Sequence, residues 1–345
     1  MRLHFKEHKL IIDHVNIDES VKKNLPDEVM EILHFLQDWQ KGAPAFTFQT
    51  SGSTGNPKTI TINRTVMEYS ARNSLAYLDI PGEGTSLLCI SPRFIGGKMA
   101  VLRAFMHGLT LDVVSPTSNF QFVDKPYLLT SLVPMQLESL AREYPEKLPF
   151  FKTLLIGGAP ISPSLEYLLL TTPNLPDIYA TYGMTETASH IALRKLGDAY
   201  FRTIGDIQLE TDHEGCLRLK GTVTSYQWLQ THDKVALTGS GKFQWLGRRD
   251  FVINSGGYKL IPEHIERKLA SLLAGYPFMV SSVPDERLGE KLALVFLIQP
   301  PNPLPDFTDL HPYERPREIR TLPHFPMTES GKIDRVKIRN LIAAL

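Results

Sequence analysis

The sequence predicts an α/β protein: a large N-terminal α/β domain carrying a β subdomain, then a small α+β domain at the C-terminus. Three observations predict this. At 345 residues the chain exceeds one typical domain and suits two. Short apolar runs of strand character alternate with helix-like stretches as far as Gly205, the pattern of a sheet covered by helices with ligands at strand ends. Beyond Gly205 the texture turns to hairpin-like β segments, and a compact tail follows Gly247-Arg248-Arg249-Asp250.

Taken in order, residues 21–40 carry apolar side chains at helical spacing and predict a helix. Residues 45–49 predict a strand that runs into Thr50-Ser51-Gly52-Ser53-Thr54-Gly55-Asn56-Pro57-Lys58. Buried-strand signals recur at 86–90, 109–114, 152–156 and 177–181, with helix-like stretches such as 98–106 and 162–170 between them. Residues 214–223 and 235–246 read as hairpin-like β segments with Gly-containing turns. The tail predicts a strand at 251–254, a Gly-Gly turn, a helix at 262–273, strands near 278–283 and 292–298, a Pro-rich loop at 300–305 and a last helix from Val336. Domains are expected at 1–247 and 251–345, joined at 248–250.

Composition narrows the function. Lys plus Arg and Asp plus Glu are both 37, for a formal net charge of zero. A nucleic-acid binder would need a basic excess to neutralise phosphates, so none is expected as a partner. Apolar residues reach 42%, enough for a sizeable core. Cys89 and Cys216 are too few for a disulfide scaffold and lack zinc spacing. His and Lys interrupt the apolar character of MRLHFKEHKLIIDHV, and no apolar run approaches the roughly 20 residues of a membrane span. A cytoplasmic protein is expected.

The stretch 50–58 is the most informative. Hydroxyl residues and two glycines in one turn leave backbone N–H groups and hydroxyls free to face an anion, and Lys58 adds a charge. A Walker loop needs Gly directly before Lys-Ser/Thr; Pro57 stands there and has no N–H, so the P-loop reading fails. The stretch instead resembles the [ST]-S-G-[ST]-T-G-x-P-K phosphate loop of the acyl-adenylate-forming enzymes: acyl-CoA synthetases, peptide-synthetase adenylation domains and luciferases.

The family's other motifs follow in order. Gly157-Gly158-Ala159-Pro160 resembles the turn against adenine, and Tyr182-Gly183-Met184-Thr185-Glu186 resembles Y-G-x-T-E. Asp233 falls where the family has its ribose-binding Asp, although the usual T-G-D is Thr231-His232-Asp233 here. Gly247-Arg248-Arg249-Asp250 resembles the G-R-x-D hinge, and Ser255-Gly256-Gly257-Tyr258-Lys259 the Gly-rich loop after it. Pro326 to Arg335 resembles P-x-x-x-x-G-K-x-x-R, with Lys332 as the catalytic lysine. The resemblance implies an acyl-CoA synthetase-like fold that uses ATP, Mg²⁺ and coenzyme A. It assigns phosphate to Thr50, Ser51, Gly52, Ser53, Thr54, Gly55 and Lys58. It further implies Mg²⁺ at Glu186, α-phosphate at Thr185 and Lys332, adenine at Tyr182, and ribose at Asp233 and Arg248. Asp250 is then the hinge of a mobile C-terminal domain, and Ser255, Gly256, Gly257 and Tyr258 line the coenzyme A path.

Residues 254–266 and 185–192 look most like the o-succinylbenzoate–CoA ligases of menaquinone synthesis. Much of the N-terminal subdomain usual in the family has no counterpart, so a shortened AMP-binding domain is expected. Arg93, Phe94, Gly96, Gly97 and Lys98 stand where relatives carry an H-x-x-G segment; with Ser189 and His190 they are the expected acyl pocket, suited to an acid with a second carboxylate. Other readings are another acyl- or aryl-CoA ligase, a carrier-protein adenylation domain, and a non-enzymatic nucleotide-binding module. Expected partners are a small carboxylic acid, ATP and coenzyme A, with a homodimer left open.

Overall fold

The computed structural model describes residues 2–6, 9–12, 25–49, 58–328 and 333–344. The chain divides into two compact units. The first comprises Met1–Pro160, Thr172–Gln208 and Lys220–Trp228; the second comprises Ile161–Thr171, Leu209–Leu219 and Leu229–Leu345.

The first unit opens with strands β1 (Arg2–Lys6) and β2 (Lys9–Ile12). Helix α1 spans Asp27–Gln40 and buries Val29, Ile32, Leu33, Phe35, Leu36 and Trp39 on one face. It starts later than the spacing predicts because Pro26 holds an extended conformation at its N-cap (ψ 147°), while Asp27 and Glu28 favour the positive end of the helix dipole. Residues 21–24 lie outside the described residues. Strands β3 (Ala45–Gln49) and β4 (Thr59–Asn63) pair antiparallel from Ala45↔Asn63 to Gln49↔Thr59. Helix α2 (Arg64–Tyr77), strand β5 (Thr85–Leu88), helix α3 (Ile95–His107) and strand β6 (Thr110–Val113) follow. Gly108 ends α3 in the left-handed region (φ 71°).

Strand β7 (Tyr127–Leu132) and helix α4 (Pro134–Glu143) complete a β–α unit that the sequence reading passed over; Pro134 at the first helical position marks its start. Strands β8 (Phe151–Ile156), β9 (Asp177–Gly183), β10 (His190–Lys195) and β11 (Phe201–Thr203) finish the unit's sheet. Its order is β11-β10-β9-β8-β7-β5-β6-β1-β2. The central strands β6, β5, β7, β8 and β9 run parallel, so their carboxyl ends share one edge. In such sheets ligands bind at that edge.

The second unit holds helix α5 (Pro163–Leu170), capped by the Ser162 hydroxyl, which accepts from the Leu165 N–H at 3.2 Å. Strands β12 (Gln208–Thr211), β13 (Cys216–Lys220), β14 (Leu229–Leu237) and β15 (Lys242–Arg248) are neighbours in that order, with Gly239 and Gly241 at positive φ in the β14–β15 turn. A second sheet uses β16 (Ile253–Ser255), β17 (Tyr258–Leu260), β18 (Phe278–Asp285), β19 (Gly289–Phe296) and β20 (Glu318–Thr321), ordered β17-β16-β19-β18 with β20 parallel to β19. Helix α6 (Pro262–Leu269) packs Ile265 and Leu269 against Val280, Leu292 and Leu294. Helix α7 (Arg335–Ala343) packs Ile338 and Ile342 against Met279, Val283 and Val295 on the opposite face. Alternation along β18 produces both faces. The Pro-rich stretch 300–305 carries no regular element.

Candidate active site

At the carboxyl edge of the first unit, β8 ends in Gly157-Gly158-Ala159-Pro160. The Gly157 N–H donates to the Leu132 carbonyl at 3.0 Å, and a Cβ there would come within 2.7 Å of Thr181 Oγ1. Gly158 has φ +85°, a conformation that a side chain would strain. The backbone is therefore bare where a flat ligand could approach.

Strand β9 delivers Tyr182, Gly183 and Met184, and a 3-10 turn Thr185–Thr187 carries Thr185 and Glu186. Tyr182 is buried, edge-on to Phe201 at 5.9 Å. A Cβ on Gly183 would lie 2.1 Å from the Ser189 carbonyl oxygen, so β10 can approach only a glycine. The turn is locked from inside. Thr187, fully buried, accepts the Met184 N–H at 3.1 Å, and its hydroxyl lies 2.7 Å from the Ser189 carbonyl. Ala188 follows at φ +61°, a strained setting for alanine. This leaves Glu186 exposed, with no ion pair to a described residue. The turn lies against β4, the strand that leaves the Gly/Ser segment. Residues 50–57, hence Thr50, Ser51, Gly52, Ser53, Thr54 and Gly55, lie outside the described residues; Lys58 is exposed.

The expected acyl-pocket residues divide. Arg93 is exposed and reaches Asp27 of α1 at 3.4 Å, and Phe94 is exposed. Lys98 pairs with Glu31, its ammonium 5.4 Å from the Phe35 ring centre. Both cations thus face acids of α1. Gly97 serves packing, because a Cβ there would sit 2.2 Å from the Ser91 carbonyl oxygen; Gly96 has more room, with Ile90 Cδ1 at 3.9 Å. Ser189 and His190 lie at the start of β10: His190 is buried, its Nε2 2.6 Å from Ser74 Oγ and its Nδ1 3.4 Å from Ser189 Oγ. Burial, and then the charge of Arg103, holds this imidazole well below the usual histidine range, so it is neutral at neutral pH.

Arg103 escaped the sequence reading. It is 2% exposed, its Nη2 reaches Ser131 Oγ at 3.5 Å, and its Nε and Nη1 meet no acceptor among the described residues. Burial lowers its pKa to about 10. Its one sequence signal was a cation inside the apolar run 99–106.

In the second unit Asp233 of β14 stands opposite Arg248 of β15. Asp233 is 7% exposed, and the Trp245 indole N–H donates to its Oδ1 at 3.0 Å; Arg248 Nη1 lies 3.8 Å from the same oxygen. The Thr231 hydroxyl, anchored to the Leu217 carbonyl at 2.9 Å, accepts the Asp233 N–H at 3.1 Å. His232, standing in the glycine position of T-G-D, places Nδ1 2.9 Å from Asp250 Oδ1, and Arg248 Nη2 lies 2.6 Å from Oδ2. Burial pushes Asp250 up, but its hydrogen bonds from Arg248 and His232 outweigh that and hold it below the usual carboxylate range. Trp245 is the residue here that motif reading missed, because an aromatic at a strand position reads as core.

Gly256 and Gly257, at φ +57° and +84°, form the turn between β16 and β17, with Ser255 buried and Tyr258 exposed. Lys332 lies outside the described residues. Its flanks are held: Met327 and Ile333 form a β-bridge, and the Asp334 N–H donates to the Pro326 carbonyl at 2.8 Å. Arg335 donates to both oxygens of Glu266 at 2.9 and 2.8 Å and lies 3.8 Å from Glu263. Burial opposes its charge, but these two carboxylates outweigh burial and raise its pKa.

The model for the AMP-binding enzyme family matches residues 3–213. Among curated relatives, the 2-succinylbenzoate–CoA ligase of Bacillus subtilis (strain 168) is 26% identical over 97% of this chain and 76% of its own length. That of Geobacillus sp. (strain WCH70) is 28% identical over 92% and 72%. Among solved structures, the acyl-CoA synthetase (AMP-forming)/AMP-acid ligase II-like protein of Dyadobacter fermentans DSM 18053 is 30% identical, covers 95% of this chain and 99% of its own, and superposes with a TM-score of 0.61. The o-succinylbenzoate coenzyme A synthetase of Bacillus subtilis, solved with ATP and magnesium, is 23% identical over 84% of this chain and 69% of its own, with a TM-score of 0.69. No described helix is long and apolar enough to cross a membrane. With its family model matched and its motifs in order, the chain belongs to the AMP-binding enzymes and is an AMP-forming acyl-CoA ligase.

Proposed function

We propose that the chain converts 2-succinylbenzoate to its coenzyme A thioester in two half-reactions. In the first, a carboxylate oxygen attacks the α-phosphorus of ATP, and the bond to the β-phosphate breaks to release pyrophosphate. In the second, the thiol sulfur of coenzyme A attacks the acyl-AMP carbonyl, its proton passes to solvent, and AMP leaves.

The observation that carries this reading is the grouping at one sheet edge. The bare turn 157–160 and the Thr185–Glu186 turn share the carboxyl edge, and β4, which follows the Gly/Ser segment, lies beside the latter. The exposed carboxylate of Glu186 is the hard oxygen donor that Mg²⁺ prefers. Bound there, the ion would offset phosphate charge. Residues 50–55 and Lys58 would hold the β- and γ-phosphates, Thr185 the α-phosphate, and Gly157 to Pro160 with Tyr182 the adenine. Asp233, held by Trp245, would accept from the ribose hydroxyls, and Arg248 would complete that contact. Two anions must meet in the first step, so a fixed cation between them lowers the barrier; Lys332 takes that role. Rotation at Asp250 would then bring the turn 255–258 to the thiol path.

For the acid, support comes from the 2-succinylbenzoate–CoA ligases, which match this chain over most of its length. The test is pyrophosphate release and acyl-CoA formation with 2-succinylbenzoate against benzoate and fatty acids. A preference for either alternative overturns the acid. Lys332→Ala is expected to lose adenylate formation yet still convert supplied acyl-AMP; wild-type adenylation by this variant refutes the lysine's role.

A further inference from the structure

We infer that Asp206 is a positioning residue for Glu186: it gathers Tyr69, Thr222 and Tyr226 into a clamp that holds the turn carrying Glu186 in place. The inference rests on the reading of Glu186 as the Mg²⁺ ligand and adds what fixes that carboxylate from outside its own turn.

Asp206 lies in the short link from β11 to β12 and is exposed, a setting in which a carboxylate is ordinarily left to water. Here both oxygens are taken. The Tyr69 hydroxyl donates to Oδ1 at 2.6 Å, and the Tyr226 hydroxyl donates to Oδ2 at 2.6 Å. Thr222 gives its N–H to Oδ1 at 3.1 Å and its hydroxyl to Oδ2 at 2.8 Å, and the Asp206 N–H donates in turn to the Tyr69 hydroxyl at 2.8 Å. Burial pushes the Asp206 carboxyl up, but the bonds from Tyr226, Tyr69 and Thr222 outweigh it and hold it well below the usual carboxylate range. Asp206 is therefore an anion at neutral pH, and hydrogen bonds to an anion are the strong kind. Two glycines admit this approach: a Cβ would come within 2.5 Å of the Tyr69 hydroxyl at Gly205 and within 3.0 Å of Asp206 Oδ1 at Gly221.

The elements that these partners belong to give the clamp its direction. Tyr69 is on α2, which follows β4 directly at Asn63. Thr222 opens a 3-10 turn, Thr222–Thr224, and Tyr226 stands at its exit. The Thr185–Thr187 turn lies against both β4 and the Thr222–Thr224 turn. Asp206 thus ties together the two neighbours on which the Glu186 turn rests. Backbone strain points to the same place. Among the described residues, five non-glycine residues lie in the left-handed region: Asp79, Asn174, Ala188, Ser225 and Tyr226. Three of the five close the two abutting turns, Ala188 after one, Ser225 and Tyr226 after the other. Such conformations persist where surrounding contacts over-determine them, and they gather at functional sites. The bond from the Tyr226 hydroxyl to Asp206, with the Tyr226 N–H on the Gly221 carbonyl at 2.9 Å, supplies that constraint.

The experiment pairs amide hydrogen exchange of the full chain, without nucleotide, with isothermal titration of ATP in the presence and absence of Mg²⁺. The variants are Asp206→Asn and Tyr226→Phe; the second removes one oxygen from a side chain that is 59% exposed, so folding is spared. Both should speed exchange at Thr187 and Ala188, whose N–H groups close the turn onto the Met184 and Thr185 carbonyls at 3.2 and 3.0 Å. The expected rise is about tenfold, as for one lost hydrogen bond to a charged group. Both should also cut the gain in ATP affinity that wild type shows with Mg²⁺, while affinity without the metal stays unchanged. Unchanged exchange at these two amides overturns the inference, as does an intact Mg²⁺ gain in both variants. So does an equal loss of ATP affinity with and without Mg²⁺, the result a merely structural acid would give. Glu186→Gln separates this from the metal reading. If that variant keeps the wild-type gain, the metal reading falls and takes the positioning role with it; if it loses the gain while the Asp206 and Tyr226 variants keep it, the positioning role falls alone.

Discussion

Trp245→Phe removes one hydrogen bond and little else, which makes it a direct probe of the Asp233 carboxylate. The indole N–H reaches Asp233 Oδ1 at 3.0 Å, and the acceptor is 7% exposed. A bond of this kind to a charged group contributes about 1.5–3 kcal/mol. Arg248, 3.8 Å from the same oxygen, stays in place and moderates the loss. We therefore expect the lower value, about 1.5 kcal/mol, or roughly a tenfold rise in the KM for ATP. Because the effect travels through the carboxylate proposed to accept from ribose, it should appear in KM and leave kcat near wild type. The assay is pyrophosphate release at saturating acid, run with ATP and with its 2′- and 3′-deoxy forms. With the analogue missing the contacted hydroxyl, wild type and variant should converge. An equal penalty for all three nucleotides, or a fall in kcat alone, would refute the reasoning.

Arg335→Ala leaves Glu263 and Glu266 buried without their cation, and we expect about 3–5 kcal/mol lost in urea unfolding; a loss under about 1 kcal/mol would contradict that account. His190 should stay neutral well below its usual titration range, and nitrogen chemical shifts of the ring would report this. The sign follows: the unfolded chain binds a proton below about pH 6.5 that the native imidazole refuses, so stability falls as pH drops through that value, and His190→Gln should flatten the slope. Gly183→Ala would press a methyl against the Ser189 carbonyl, 2.1 Å away, and should displace the Glu186 turn, seen as a lower melting temperature and weaker Mg²⁺ dependence.

The sequence reading was strongest where local pattern decides. The strand 45–49 matches β3 at both ends, and the Gly-Gly turn falls between β16 and β17. Helix starts were read less well: Pro26 forces α1 to begin at Asp27, a local constraint that apolar spacing does not encode. Tyr127–Leu132 was passed over although its Pro134 signal was visible, because one strand within a run of them has little periodicity of its own. Motifs named Asp233 but not Trp245, since the pairing of β14 with β15 is what sets them together. Arg93 and Lys98 looked available as cations until α1, distant in sequence, supplied Asp27 and Glu31. Long-range partners of this kind are fixed by packing.

The ladder joining β3 to β4 has a use in engineering. Pairing continues to Gln49↔Thr59, so the nine positions from 50 to 58 are anchored between two backbones that neighbour each other directly, about 5 Å apart in any sheet. A segment mounted this way can be exchanged whole, as a cassette with fixed sockets. Versions borrowed from other adenylating enzymes could be compared in one unchanged scaffold, separating what that short stretch contributes from everything around it.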